Sequence, residues 1–213
     1  MVVQSLMPKD LEKIQIDLEK YDSIREKLLE VSRLATRLSD MAIIMMHRGD
    51  LKKAKETLRQ AKDSLREIER FLKSNPELRN SGNVVVAYQE YAEAKLLFHV
   101  IQEGKLPSLE KVGVESTPYV LGLLDFIGEL RRMALNFLRK GKAVEAERML
   151  KLMENTYEDL ISLDHAAIIP MFRRKADVGR KIVETTRGDV VTEIRRMSLE
   201  KAIRGLEERI REK

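Results

Sequence analysis

The chain has 213 residues, with 40 Lys or Arg against 35 Asp or Glu, a net charge of +5 and a pI near 9.3. It has no cysteine, which excludes disulfides, thiol catalysis and Cys-ligated zinc. An apolar fraction of 43% argues for a globular core, and a charged fraction of 35% with both signs interspersed argues for a solvated surface rather than a charged tail.

The basic excess fits a polyanionic partner without requiring one. Met1 to Lys9 lacks the regions of a signal peptide, and no apolar run approaches the ~18 residues of a membrane helix, so a soluble, cytoplasmic protein is expected.

In chain order, Leu11, Ile14, Leu18, Tyr21, Ile24, Leu28, Val31, Leu38 and Met45 recur at helical steps. They predict one long amphipathic helix from about Lys9 to His47. Gly49 and Asp50 supply its stop and the next N-cap. Leu51, Ala54, Leu58, Ala61, Leu65, Ile68 and Leu72 mark a second helix, ending before Asn75-Pro76. A third is expected from Val84 to Glu103, and a fourth from Thr117-Pro118, an N-cap and N1 pair, to about Lys140. A fifth spans Ala143 to Leu163. A last helical region runs from Ala166 to Arg211, divided near Gly188. No useful β-period segment occurs, so the fold class is all-α, about six to seven helices in a single domain over 1–213. The first helix is too long to bury its whole stripe in a domain of this size, which predicts packing between subunits.

Two pairs of carboxylates fall in apolar settings. On the third helix the polar arc carries Lys95, His99, Gln102 and Glu103, and Glu90 and Glu93 lie nearly opposite, among Val86, Leu96, Leu97, Val100 and Ile101. In Tyr119–Leu130 the only charges are Asp125 and Glu129, four apart and therefore on one face. Gly122 and Gly128 in the same stretch fit a close approach by a neighbouring helix or a ligand. Asn136 shares the carboxylate face and is a candidate to support the ligands from behind. Buried anions need a compensating cation. For either pair that cation can be a structural partner, such as Arg132 or an arginine of the first helix. For two pairs on successive helices a shared metal site fits better. All-oxygen donors favour Mg²⁺ or Mn²⁺, and a di-iron bundle would need Glu-x-x-His pairs that are missing here. Such a site suits in-line hydrolysis of a phosphodiester by a metal-activated water. His47, His99 and His165 match no ligand spacing.

The segment Tyr119–Asn136 (YVLGLLDFIGELRRMALN) resembles the signature of the translin family, closest to its translin-associated factor X branch. Tyr88–Ala94 (YQEYAEA) resembles that branch's catalytic helix. Ser32-Arg33-x-x-Thr36-x-x-Ser39 with Ile43–Arg48 (IIMMHR) is similar to the family's first-helix pattern. The resemblance implies a hollow octamer of helical subunits, here an archaeal-type homo-oligomer, that cleaves RNA inside. By motif it assigns Glu90, Glu93, Asp125 and Glu129 as the catalytic acids.

Candidates for contacts to RNA phosphates are Arg25, Arg33, Arg37, Arg131, Arg132, Arg173, Arg174 and Lys175, with Arg180 and Lys181. Five Phe, five Tyr and no Trp give no evident base-stacking platform, so recognition of backbone and strand ends is expected. The functional expectation is a metal-dependent endoribonuclease acting on single-stranded or short duplex RNA. The alternatives are a non-catalytic RNA- or ssDNA-binding oligomer and a helical scaffold with buried salt bridges.

Overall fold

The computed structural model describes residues 7–211. Among them there are helices and no strand: α1 (Pro8–His47), α2 (Leu51–Ser74), a 3₁₀ turn (Pro76–Asn80), α3 (Gly82–Glu103), the single turn α4 (Leu109–Val112), α5 (Ser116–Arg139), α6 (Ala143–Ile161), a second 3₁₀ turn (Ala166–Ile168) and α7 (Phe172–Arg211). The chain divides into two compact units, 1–91 and 92–213, with the boundary inside the uninterrupted helix α3. No described helix is long and apolar enough to cross a membrane.

In the first unit α1 and α2 pack against each other. Gly49, at φ 83°, takes the left-handed conformation that lets the chain reverse, and the Asp50 carboxylate accepts from the Lys53 amide to cap α2. The buried side of α1 is Leu28, Ser32, Ala35, Ser39, Ala42, Ile43 and Met46. Its middle, Ser32 to Ala42, is a run of small residues, shifted from the stripe expected through Leu38 and Met45, which are only half-buried. Small side chains allow two helix axes to approach closely, and two of the buried hydroxyls are satisfied within their own helix, whereas Ser32 Oγ has no hydrogen-bond partner among the described residues. Ser39 Oγ donates to the Ala35 carbonyl at 2.9 Å and Thr57 Oγ1 to the Lys53 carbonyl at 2.9 Å. The first half of α1 leaves Leu11, Ile14, Ile16, Leu18 and Tyr21 exposed.

The start of α3 is tied to α2 by a polar network. Tyr88 OH donates to Glu69 at 2.6 Å, and Arg79 reaches the same carboxylate at 2.9 Å. Burial alone would raise the Glu69 carboxyl, but these hydrogen bonds outweigh it and hold it below the ordinary range. The network's contribution is therefore complete above the unfolded value and is lost as pH falls through the lowered folded value. Tyr88→Phe is expected to cost about 1 kcal/mol at neutral pH, discounted because Glu69 is half-exposed, and less once acid has protonated Glu69. Urea denaturation at neutral and at acid pH checks this. An equal loss at both would mean that the hydroxyl acts elsewhere.

Helix α3 corrects the expected face assignment. Every residue from Tyr91 to Val100 except the half-buried Lys95 is buried, so His99 (5% exposed) lies inside rather than on a solvent arc. Its Nδ1 sits 2.8 Å from the Lys95 carbonyl oxygen. Val86, expected inside, is 41% exposed. A helix covered on nearly all sides carries no polar face for a helical wheel to find.

In the second unit α5, α6 and α7 pack on one another. Helix α5 begins at Ser116 with Glu115 as cap residue, so Pro118 sits within the first turn rather than at its first position. It still gives up no helical hydrogen bond there. Ala134, Ala146, Leu150 and Val190 form a cluster with Phe137, Leu138, Met149 and Ile194 around it. Helix α7 continues through Gly188, where a break was expected. One glycine costs only ~1 kcal/mol in a helix interior, and the buried Thr186 and Val190 on either side hold the turn. At Gly179 an added Cβ would lie 3.6 Å from both Ile127 Cδ1 and the Tyr157 ring, ordinary van der Waals contact, so α7 packs against α5 and α6 there.

Candidate metal centre

Glu90 and Glu93 lie one turn apart on α3, as the i, i+3 spacing dictates. Glu93 is 8% exposed and Glu90 half-buried. Asp125, half-buried on α5, is flanked in sequence by the buried Leu124 and Phe126. Glu90, Glu93 and Asp125 can each offer a carboxylate oxygen such that all three lie within 4.8 Å of one another. Oxygens bound to one Mg²⁺-sized ion are at most ~4.2 Å apart, so this spread of up to 4.8 Å closes with small side-chain rotations. The donors are all hard oxygens, and the three histidines take no part. The residues fit a divalent cation of that class.

The structure also places a positive charge at this point. Lys175 Nζ of α7 lies 2.5 Å from Asp125 Oδ1 and donates to it. Both belong to the second unit, and Gly179, one turn after Lys175, packs toward Ile127 of α5 and Tyr157 of α6. Arg132, one of the structural partners that the sequence suggested, lies 3.7 Å from Glu129, whose side chain is 19% exposed. Glu129 stands one turn beyond Asp125 and is outside the converging three. Asn136 is half-buried two turns further, about 10 Å along the axis at 1.5 Å per residue.

Sequence reasoning missed Asp40. This α1 residue is hydrogen-bonded to Glu90, and loss of surrounding water holds its carboxyl above the ordinary range against the pull of that bond. The signal was available, because Asp40 is the only charge in Leu38–Met46, the pattern that singled out Asp125 and Glu129. Burial of Tyr91, between the two α3 acids, pushes its phenol up to about 12.

The basic candidates separate into groups. Arg25 is paired with Asp22 at 2.9 Å and Glu26 at 3.0 Å. Arg33 and Arg37 line a surface groove with Glu30 and Glu67. Arg131 donates to Thr186 Oγ1 at 2.8 Å and pairs with Asp189 at 3.0 Å, which links α5 to α7. Arg173 and Arg174 are exposed in the first turn of α7 beside Lys175, and Arg180 pairs with Glu184 at 3.4 Å. As for Gly128, no atom lies within 4 Å of where its Cβ would stand, so no neighbouring helix explains it, whereas Gly122 is buried.

Comparison with known proteins bears on the fold and the family. The Translin family profile matches residues 23–186. An uncharacterized protein of Methanocaldococcus jannaschii is 34% identical over 183 residues, covering 85% of this chain and 82% of its own length. Among solved structures, the AfC3PO–duplex RNA complex is similar with a TM-score of 0.77 and 30% identity, over 86% of this chain and 96% of that one. Apo-NeC3PO is similar with a TM-score of 0.76 and 26% identity, over 89% of this chain and 100% of that one. With its fold, its motif segments and more than half its length matched, the chain belongs to the translin family.

Proposed function

We propose that this chain is a Mg²⁺- or Mn²⁺-dependent endoribonuclease that cleaves single-stranded or short duplex RNA, acting as a single-domain subunit of a homo-oligomer, octameric by the family resemblance. The observation that carries the reading is the convergence of Glu90, Glu93 and Asp125. Three carboxylates this close repel one another unless a cation joins them. A divalent ion held there lowers the pKa of a bound water and neutralises charge on the scissile phosphate. The chain's own part is positional. Burial of α3 fixes the direction of Glu93, and α5 sets Asp125 and, one turn on, Glu129, the fourth acid of the set. Arg132, Arg173, Arg174 and Lys175 supply cations beside the acids, and Arg25, Arg33 and Arg37 supply them along α1, for contacts to phosphate. RNA as the substrate class is supported by the similar AfC3PO, which was solved with duplex RNA. Oligomer formation is supported by the exposed apolar residues of the first half of α1.

The test is incubation of a labelled short RNA with the protein in Mg²⁺, Mn²⁺ or EDTA. Cleavage with metal and none in EDTA is expected. Intact RNA in every lane, with binding retained, would replace this reading by a non-catalytic RNA- or ssDNA-binding oligomer.

A further inference from the structure

The ammonium of Lys175 occupies a place that its own helix does not favour. Lys175 lies in the first turn of α7, where the helix dipole is positive and a cation is disfavoured. That turn carries Arg173, Arg174 and Lys175 and no acid. The Asp125 carboxylate 2.5 Å away offsets both that and the cost of partial burial, the two side chains being 25% and 24% exposed. Asp125 is also one of the three converging acids. An oxygen that holds an ammonium at hydrogen-bond distance cannot also hold a divalent ion without strong repulsion between the two cations. The lysine stem has four rotatable carbons, so its head can leave Asp125 while the helix stays in place.

We infer that Lys175 is an exchangeable counter-ion of the carboxylate site: it neutralises Asp125 before an ion binds, and once displaced it contacts a non-bridging oxygen of the RNA phosphodiester undergoing attack. This rests on the nuclease reading above. It gives Lys175 two separable effects. It competes with the ion for Asp125, which weakens metal binding, and it stabilises negative charge on the phosphate, which raises turnover. Arg173 and Arg174, exposed in the same turn, add positive charge for the incoming backbone.

The experiment is Mn²⁺ binding without RNA, followed by electron paramagnetic resonance of the free ion, on the full chain and on Lys175→Met and Lys175→Arg. Single-turnover RNA cleavage at saturating Mn²⁺ is measured in parallel. Lys175→Met is expected to bind Mn²⁺ up to about fivefold more tightly, since it loses the competing ion pair. The same variant is expected to cleave about 10²-fold more slowly, with little change in KM for RNA. Lys175→Arg keeps the charge and is expected to bind Mn²⁺ as the parent does and to recover part of the rate. Tighter binding with slower cleavage is an outcome that a merely structural lysine does not give. If the parent binds Mn²⁺ and cleaves RNA, and Lys175→Met matches it in both, the inference is overturned and the nuclease reading stands. If the parent neither binds Mn²⁺ nor cleaves RNA, the nuclease reading fails and takes this inference with it.

Discussion

Glu93→Gln is expected to lower metal-dependent RNA cleavage by about 10²–10³-fold with the protein still folded. Glu93 is 8% exposed and has Glu90 and Asp125 within ligand distance, and the amide keeps its shape while removing an anionic ligand. Urea denaturation without metal, run beside the cleavage assay, separates loss of a ligand from loss of the fold. Unchanged cleavage with a stability loss of about 3–5 kcal/mol would sink the metal-centre assignment and favour a buried salt bridge in a scaffold. Asp125→Asn is expected to lose activity similarly, but with some loss of stability, because it leaves Lys175 without its carboxylate.

The second large effect concerns the helix that presents Asp125. Phe126 is fully buried on α5, whose inner side also buries Leu123, Ile127, Leu130 and Ala134. Phe126→Ala is expected to destabilise by about 3–5 kcal/mol from lost transfer energy and the cavity left behind. For a chain of this size that lowers Tm by roughly 10 °C. Thermal denaturation followed by circular dichroism checks it. A loss below about 1 kcal/mol would mean that this side of α5 is not closely packed.

Spacing alone was enough to place the first helices. Apolar residues at helical steps, Gly49 with Asp50 and Asn75-Pro76 gave α1 and α2 to within a residue or two, and the third helix ends at Glu103 as expected. They do so because a helix repeats every 3.6 residues and its ends leave backbone groups that only certain residues satisfy. The same logic made the acids visible, since a carboxylate in an otherwise apolar stretch is out of place whatever surrounds it.

Properties that depend on which surfaces meet were settled only in three dimensions. The buried side of α1 follows Ala35, Ser39 and Ala42 rather than the larger Leu38 and Met45, because close approach of α2 selects small residues that a hydrophobicity pattern passes over. The inward His99 and outward Val86 follow from the covering of α3 on nearly every side, which erases the contrast that a helical wheel needs. Lys175 and Asp125 are fifty residues apart, and their pairing depends on the packing of α7 against α5. Residue types and local period are written along the chain, so the sequence alone determined the helices, the family resemblance and the suspect carboxylates. Which acids converge, and which cation meets them, was decided by tertiary packing, because Coulomb interactions and ligand geometry depend on distance in space.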